Sequence, residues 1–146
     1  MIFAHLLIGI ILGKLYGNYF LFILGSIFPD IDHFYIIFKN KIYTLEKIID
    51  SIKYEEKYNL NYKTSLFHSL IGLVIFSLII YLIVGNKAIY FSVAYLLHLL
   101  IDWSDTDTKY FLYPLKIKFK GFLSIWSKPE RALTIILIVM LLFLFN

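Results

Sequence analysis

From Leu66 to Val84 the chain runs nineteen residues without a charged side chain, enough α-helix to cross a hydrocarbon core of about 30 Å. A run of this kind suits a bilayer because each backbone N–H and C=O pairs inside the helix and none faces lipid unpaired. Four further uncharged runs, Met1 to Gly13, Leu15 to Pro29, Ala88 to Ile101 and Ala132 to Phe145, are shorter. They must tilt, thin the bilayer or enter only partway. With 60% of the 146 residues hydrophobic, 16% charged and a mean hydropathy of +0.79, the chain lies outside the range of soluble domains. The expectation is an all-α, polytopic integral membrane protein, a single domain over residues 1–146 with about five membrane-embedded helical segments. No basic region precedes the first run and no small-residue cleavage site follows it, so that run is expected to remain in place.

Turn chemistry sets the threading. Gly13, Gly17 and Asn18 surround Lys14 and predict a helical hairpin at the N-terminus. Pro29 is expected to close the second helix, since proline pushes its predecessor out of helical geometry. Residues 34–65 then form a polar cytoplasmic or interfacial insertion with six lysines. Within it, Ile42, Leu45, Ile48, Ile49 and Ile52 fall at the spacing of an amphipathic surface helix. "VGNKA" at 84–88 is a tight turn, and "SKPER" at 127–131 starts a last helix with Ser127 as N-cap and Glu130 in its first turn. Threading five segments in this order leaves Lys14 and Lys87 alone on one side and twelve basic residues on the other. The positive-inside tendency makes the twelve-residue side cytoplasmic, with the N-terminus in and the C-terminus out.

The ionisable residues near these helices gather on that same face. The chain has four histidines: His5 near the start of helix 1, His33 just past helix 2, His68 near the start of helix 3 and His98 near the end of helix 4. Asp30 and Asp32 flank the end of helix 2, and Asp102 lies four residues after His98, on the same helix face. Ionisable residues at membrane depth mark function by default. Imidazole and carboxylate together hold Zn, Mn or Fe, and carboxylates can bridge two ions. Cysteine is absent, so thiolate sites and disulfides are excluded. Asp30, Asp32, His98 and Asp102 are the candidate catalytic residues, and His5, Asp30, Asp32, His33, His68, His98 and Asp102 the candidate metal ligands. One or two divalent ions are expected, Zn first, then Mn or Fe. Some of the seven are expected to orient ligands rather than touch metal. Asp105 and Asp107 in "WSDTDTK" read first as a solvated turn, with a role in the site as the lesser alternative, and "KIKFK" at 116–120 as a basic stretch facing headgroups or a phosphate.

These motifs resemble the YdjM-like family of LexA-binding, inner-membrane-associated, membrane-bound metal-dependent hydrolases. "AHLLIG" with His5, "FPDIDHF" with Asp30, Asp32 and His33, "FHSLIG" with His68 and Ser69, and "YLLHLLIDWSDTDTKYFLYP" with His98, Asp102 and Pro114 are similar to its successive elements. Where that family carries His-Arg-Gly ahead of its third element, this chain reads "NYKTSLFHS", and after Asp102 it offers Asp105 and Asp107 in place of Thr-Pro and glycine. The resemblance implies a metal-dependent hydrolase. Joined to the face the residues share, the expectation is hydrolysis of an ester or phosphoester, with membrane lipid headgroups the natural substrate class. The other reading is a non-catalytic membrane protein whose metal ties the helices together and whose basic face recruits a soluble partner or lipid. An ion pathway is disfavoured because no ionisable residue continues through helix 3 or helix 5. The net charge of +4 matches anionic headgroups and calls for no nucleic acid. The sequence names no protein partner.

Overall fold

The computed structural model describes residues 2–58, 60–123 and 127–145. It is all-helical: α1 (Ile2–Tyr16), α2 (Tyr19–Ile27), α3 (Ile31–Lys39), α4 (Leu45–Lys53), α5 (Glu55–Tyr58), α6 (Leu70–Val84), α7 (Ala88–Trp103) and α8 (Lys128–Phe145). Among the described residues there is no strand, only two isolated bridges, Asp105 with Leu123 and Lys109 with Phe119.

Two helical stretches, not the five expected, are long and apolar enough to cross a membrane: Tyr19–Lys39 and Leu70–Trp103. Phe3–Tyr16 is a shorter apolar helix. The difference has local causes. Pro29 sits in the first turn of a 3₁₀ segment, Phe28–Asp30, that links α2 directly to α3, because proline is tolerated where an N–H has no helical partner anyway. Asp32 and His33 therefore lie in the first turn of α3 rather than in a non-helical turn. The 3₁₀ turn Gly85–Lys87 leaves no break in the helical run between α6 and α7, yet it is the tight turn expected there: Tyr95 of α7 donates to the Phe67 carbonyl oxygen at 2.6 Å and stacks on Phe76, so the two helices lie side by side. α8 begins with Lys128, Glu130 and Arg131, which shortens its apolar part. The expected surface helix is also shorter than its pattern, since Lys41 has φ 55 and Thr44 is extended, so α4 starts at Leu45.

α1 and α2 form the N-terminal hairpin. Gly17 supplies the left-handed residue, φ 72, that reverses the chain, and the Asn18 side chain accepts the Leu21 N–H at 3.3 Å as N-cap. The main core lies between α2, α6 and α7, where Leu21, Phe91, Tyr95 and Leu99 are buried with Phe28 and Phe76 against them. Phe28 meets Phe76 and Phe91 edge-on at 4.8 and 5.4 Å, a preferred aromatic geometry. A second cluster, Ala4, Ile11 and Leu137, joins α1 to α8. Away from these cores α6 turns its bulk outward: Val74, Leu82 and Ile83 are 64%, 76% and 73% exposed. An apolar face of that extent is a lipid-facing surface rather than a solvated one.

Close approach of α2 to α7 positions the site. A Cβ on Gly25 would stand 2.3 Å from the Phe91 carbonyl oxygen, so glycine alone lets the two backbones meet there. The next residue, Ser26, then presents its carbonyl to His98, about two turns further along α7.

Candidate metal centre

Four atoms from three parts of the chain converge. Asp30 Oδ1, from the 3₁₀ turn, lies 3.9 Å from His68 Nε2 and 3.7 Å from His98 Nε2. Asp102 Oδ2, from the last turn of α7, lies 3.4 and 3.5 Å from the same two nitrogens. Four bonds of about 2.0–2.1 Å arranged tetrahedrally place ligand atoms about 3.3–3.4 Å apart. The four contacts are therefore four of the six edges of such a cage, within a few tenths of an ångström of a zinc shell. His68 Nε2, His98 Nε2, Asp102 Oδ2 and Asp30 Oδ2 are all buried without a hydrogen-bond partner. Leaving such atoms unpaired inside a protein is costly, and a cation in the cage would satisfy His68 Nε2, His98 Nε2 and Asp102 Oδ2 at once. Two groups, Asp30 with His68 and His98, and His5 with His98 and Asp102, have ligand atoms within 4.8 Å of one another and could hold a metal ion.

The remaining nitrogens fix the rings. His98 Nδ1 is 2.7 Å from the Ser26 carbonyl oxygen. That oxygen only accepts, so Nδ1 carries the proton and Nε2 presents its lone pair. His68 Nδ1 donates to Asp32 Oδ2 at 3.1 Å, with the same result. A histidine that donates one N–H outward while the other nitrogen faces inward is the ordinary arrangement of a metal ligand. Asp32 has little left for an ion. Its Oδ2 also accepts the Thr64 N–H at 2.7 Å and hydroxyl at 2.8 Å, while Oδ1 takes His33 Nδ1 at 3.0 Å. His5 Nε2 donates to Asp102 Oδ1 at 3.1 Å, and its ring stacks on His98 at 3.8 Å between centroids. His33 stands at the rim, its side chain 22% exposed, 3.6 Å from Asp30 and stacked on Tyr62. The structure thus brings six of the seven candidates into one buried cluster, four around the centre and two behind them, with His33 at the edge. Ser69 lies beside the centre but acts as the N-cap of α6, accepting from the Gly72 N–H.

A second charged cluster abuts the first, and it was largely hidden from sequence reasoning. Asp105 is not in a solvated turn: it is fully buried and pairs with Lys63 through one oxygen and Lys109 through the other. The reason is the loop that follows α7, where the Lys109–Phe119 bridge and the Gly121 N–H, donating to the Asp105 carbonyl at 2.8 Å, fold residues 104–123 over the aspartate. Lys63 Nζ also lies 3.0 Å from Asp102 Oδ2 and 3.5 Å from Asp107 Oδ2. Burial opposes the Lys63 charge, but Asp102, Asp105 and Asp107 outweigh it and hold its pKa above the usual lysine value. Burial pushes Asp107 up, and burial together with Lys63 pushes Lys109 down. Lys109 was readable, being four residues after Asp105. Lys63 and Thr64 had no such signal, because their partners lie 42 and 32 residues away. The lysines of "KIKFK", Lys116, Lys118 and Lys120, are exposed, and Ser127 caps α8 as expected, accepting the Glu130 N–H at 3.5 Å.

Fold and centre together define an all-helical membrane protein with buried histidine and aspartate groups suited to a metal ion. The YdjM inner membrane protein family matches the chain over residues 1–146, and the chain belongs to that family. No curated protein and no solved structure matches it.

Proposed function

We propose that the protein is a multi-pass, membrane-bound, metal-dependent hydrolase acting on an ester or phosphoester, with lipid headgroups as the substrate class. The observation that carries this reading is the cage of Asp30, His68, His98 and Asp102, with its inward-facing lone pairs and no hydrogen bonds to satisfy them. Asp30, His68, His98 and Asp102 would hold a divalent ion, Zn first and then Mn or Fe, which would supply Lewis-acid polarisation and an acidified water. Asp32 and the Ser26 carbonyl hold the His68 and His98 rings in the ligating tautomer. Asp30 Oδ2, buried without a hydrogen-bond partner while Oδ1 faces the two histidines, would accept a proton from water there. In this reading the N-terminus is cytoplasmic and the centre faces the cytoplasmic leaflet, with twelve basic residues on that side. The exposed lysines of "KIKFK" then meet anionic headgroups.

Elemental analysis of full-length protein in detergent, wild type beside His98→Ala, tests the centre. About one equivalent of Zn, Mn or Fe in the wild type and a loss of more than about 100-fold in affinity in the variant are expected. Release of headgroup or phosphate from lipid substrates should fall in parallel. The second reading is a structural ion in a non-catalytic protein that recruits lipid or a soluble partner. It is favoured by the burial of the centre and by four corners all supplied by protein, the mark of a closed site. Bound metal with no hydrolysis of any ester or phosphoester tried would select it.

A further inference from the structure

Asp102 belongs to both buried clusters. Its Oδ2 faces His68 Nε2 and His98 Nε2 on one side and Lys63 Nζ on the other. We propose that the Lys63 ammonium takes the place of a second metal ion, so that this protein holds a single divalent cation beside a fixed positive charge. The proposal rests on reading Asp30, His68, His98 and Asp102 as a metal shell.

Two-metal hydrolytic centres set their ions about 3.5–4 Å apart and commonly share a carboxylate between them. Here the carboxylate in that position is Asp102, and the group on its far side is Lys63. Three carboxylates converge on that one nitrogen: Asp102 at 3.0 Å, Asp107 at 3.5 Å and Asp105 in a direct hydrogen bond. Carboxylates gathered at these distances are what a second cation would need. Lys63 is itself buried, so no water is at hand to draw the ammonium away. Asp105 is closed from both sides, because Oδ1 accepts the Lys109 ammonium and the Asp107 N–H while Oδ2 accepts Lys63. A compact ammonium on a flexible stem suits this role, since it is a point charge that can sit among three carboxylates while hydrogen-bonding one of them. Its presence also withdraws donor strength from Asp102 without displacing it.

The test uses full-length protein in detergent, stripped of metal and equilibrated with excess Mn²⁺ alone. The Mn-to-protein ratio is read by elemental analysis and the electron paramagnetic resonance spectrum recorded. Wild type is expected to bind about one Mn²⁺ per chain with the spectrum of an isolated ion, and Lys63→Ala about two with the exchange-broadened spectrum of a pair. Lys63→Arg, which keeps the charge, should stay at about one. A coupled pair in the wild type overturns the proposal and leaves the metal shell standing. A single isolated ion in Lys63→Ala, at wild-type affinity, overturns it too. No bound Mn²⁺ in any form overturns the metal shell and this proposal with it. Where Lys63→Ala is not recovered folded, Lys63→Gln retains the stem and hydrogen bonding and is read in the same way. The wild-type spectrum decides independently of either variant.

Discussion

The cage of Asp30, His68, His98 and Asp102 and the neighbouring cluster of Lys63, Asp105, Asp107 and Lys109 are both buried and meet at Asp102, yet only the second contains its own cations. In the lysine cluster, both carboxylate oxygens of Asp105 are met by ammonium groups and backbone N–H donors. In the cage, His68 Nε2 and His98 Nε2 have no hydrogen-bond partner, and Asp102 Oδ2 has the Lys63 ammonium only on its far side, at 3.0 Å. The difference separates two ways of keeping charge inside a protein. A cluster closed by lysine is complete when the chain folds, whereas one lined by imidazole lone pairs and carboxylates is complete only with an ion from solution.

That contrast predicts that the two clusters fail differently. Lys109→Ala leaves the Asp105 carboxylate buried with one partner fewer, and removal of one member of a buried pair costs about 3–5 kcal/mol. Chemical denaturation in detergent should show that loss while the metal content of the folded fraction stays at the wild-type level. A fall in bound metal without a fall in stability would erase the distinction between the clusters. Asp32→Asn should do the reverse. It touches no ion, but it weakens the acceptor that orients His68, and such outer partners are worth about 10–100-fold in metal affinity. Competition with a chelator of known affinity would measure it, and an unchanged affinity would remove Asp32 from the cage's support. The smallest effect is expected from Thr64→Val, which keeps the N–H to Asp32 and deletes only the hydroxyl donor, a loss of about 0.5–1.5 kcal/mol. Thermal unfolding of the metal-free protein, compared with wild type, checks that figure.

Much of the architecture is legible because its causes are local. Uncharged runs of known length give helices in lipid, Gly17 with Asn18 gives the first reversal, and "VGNKA" gives the tight turn between α6 and α7. The four-residue spacing of His98 and Asp102 puts both on one face before any neighbour is known. Pro29 misleads for an equally local reason, since a proline at the start of a 3₁₀ turn redirects a helix without ending the helical path. The division of the site into atoms that face an ion and atoms that hold them was not legible. His5, Asp32, His68 and Asp102 are all the right residue types. What separates Asp32 from Asp102 is that Thr64 and His33 take the oxygens of one, while His5 and Lys63 flank the other.

By itself the sequence determined the membrane habit, the helical class, the absence of thiolate chemistry and the inventory of imidazoles and carboxylates available to a site. These follow from composition and from periodicities that span only a few residues. Only the tertiary structure decided that Asp105 is sealed under a loop and that Lys63 reaches across to Asp102. A buried charge takes whichever opposite charge the packing brings within a few ångströms, and packing joins residues that the chain itself keeps far apart.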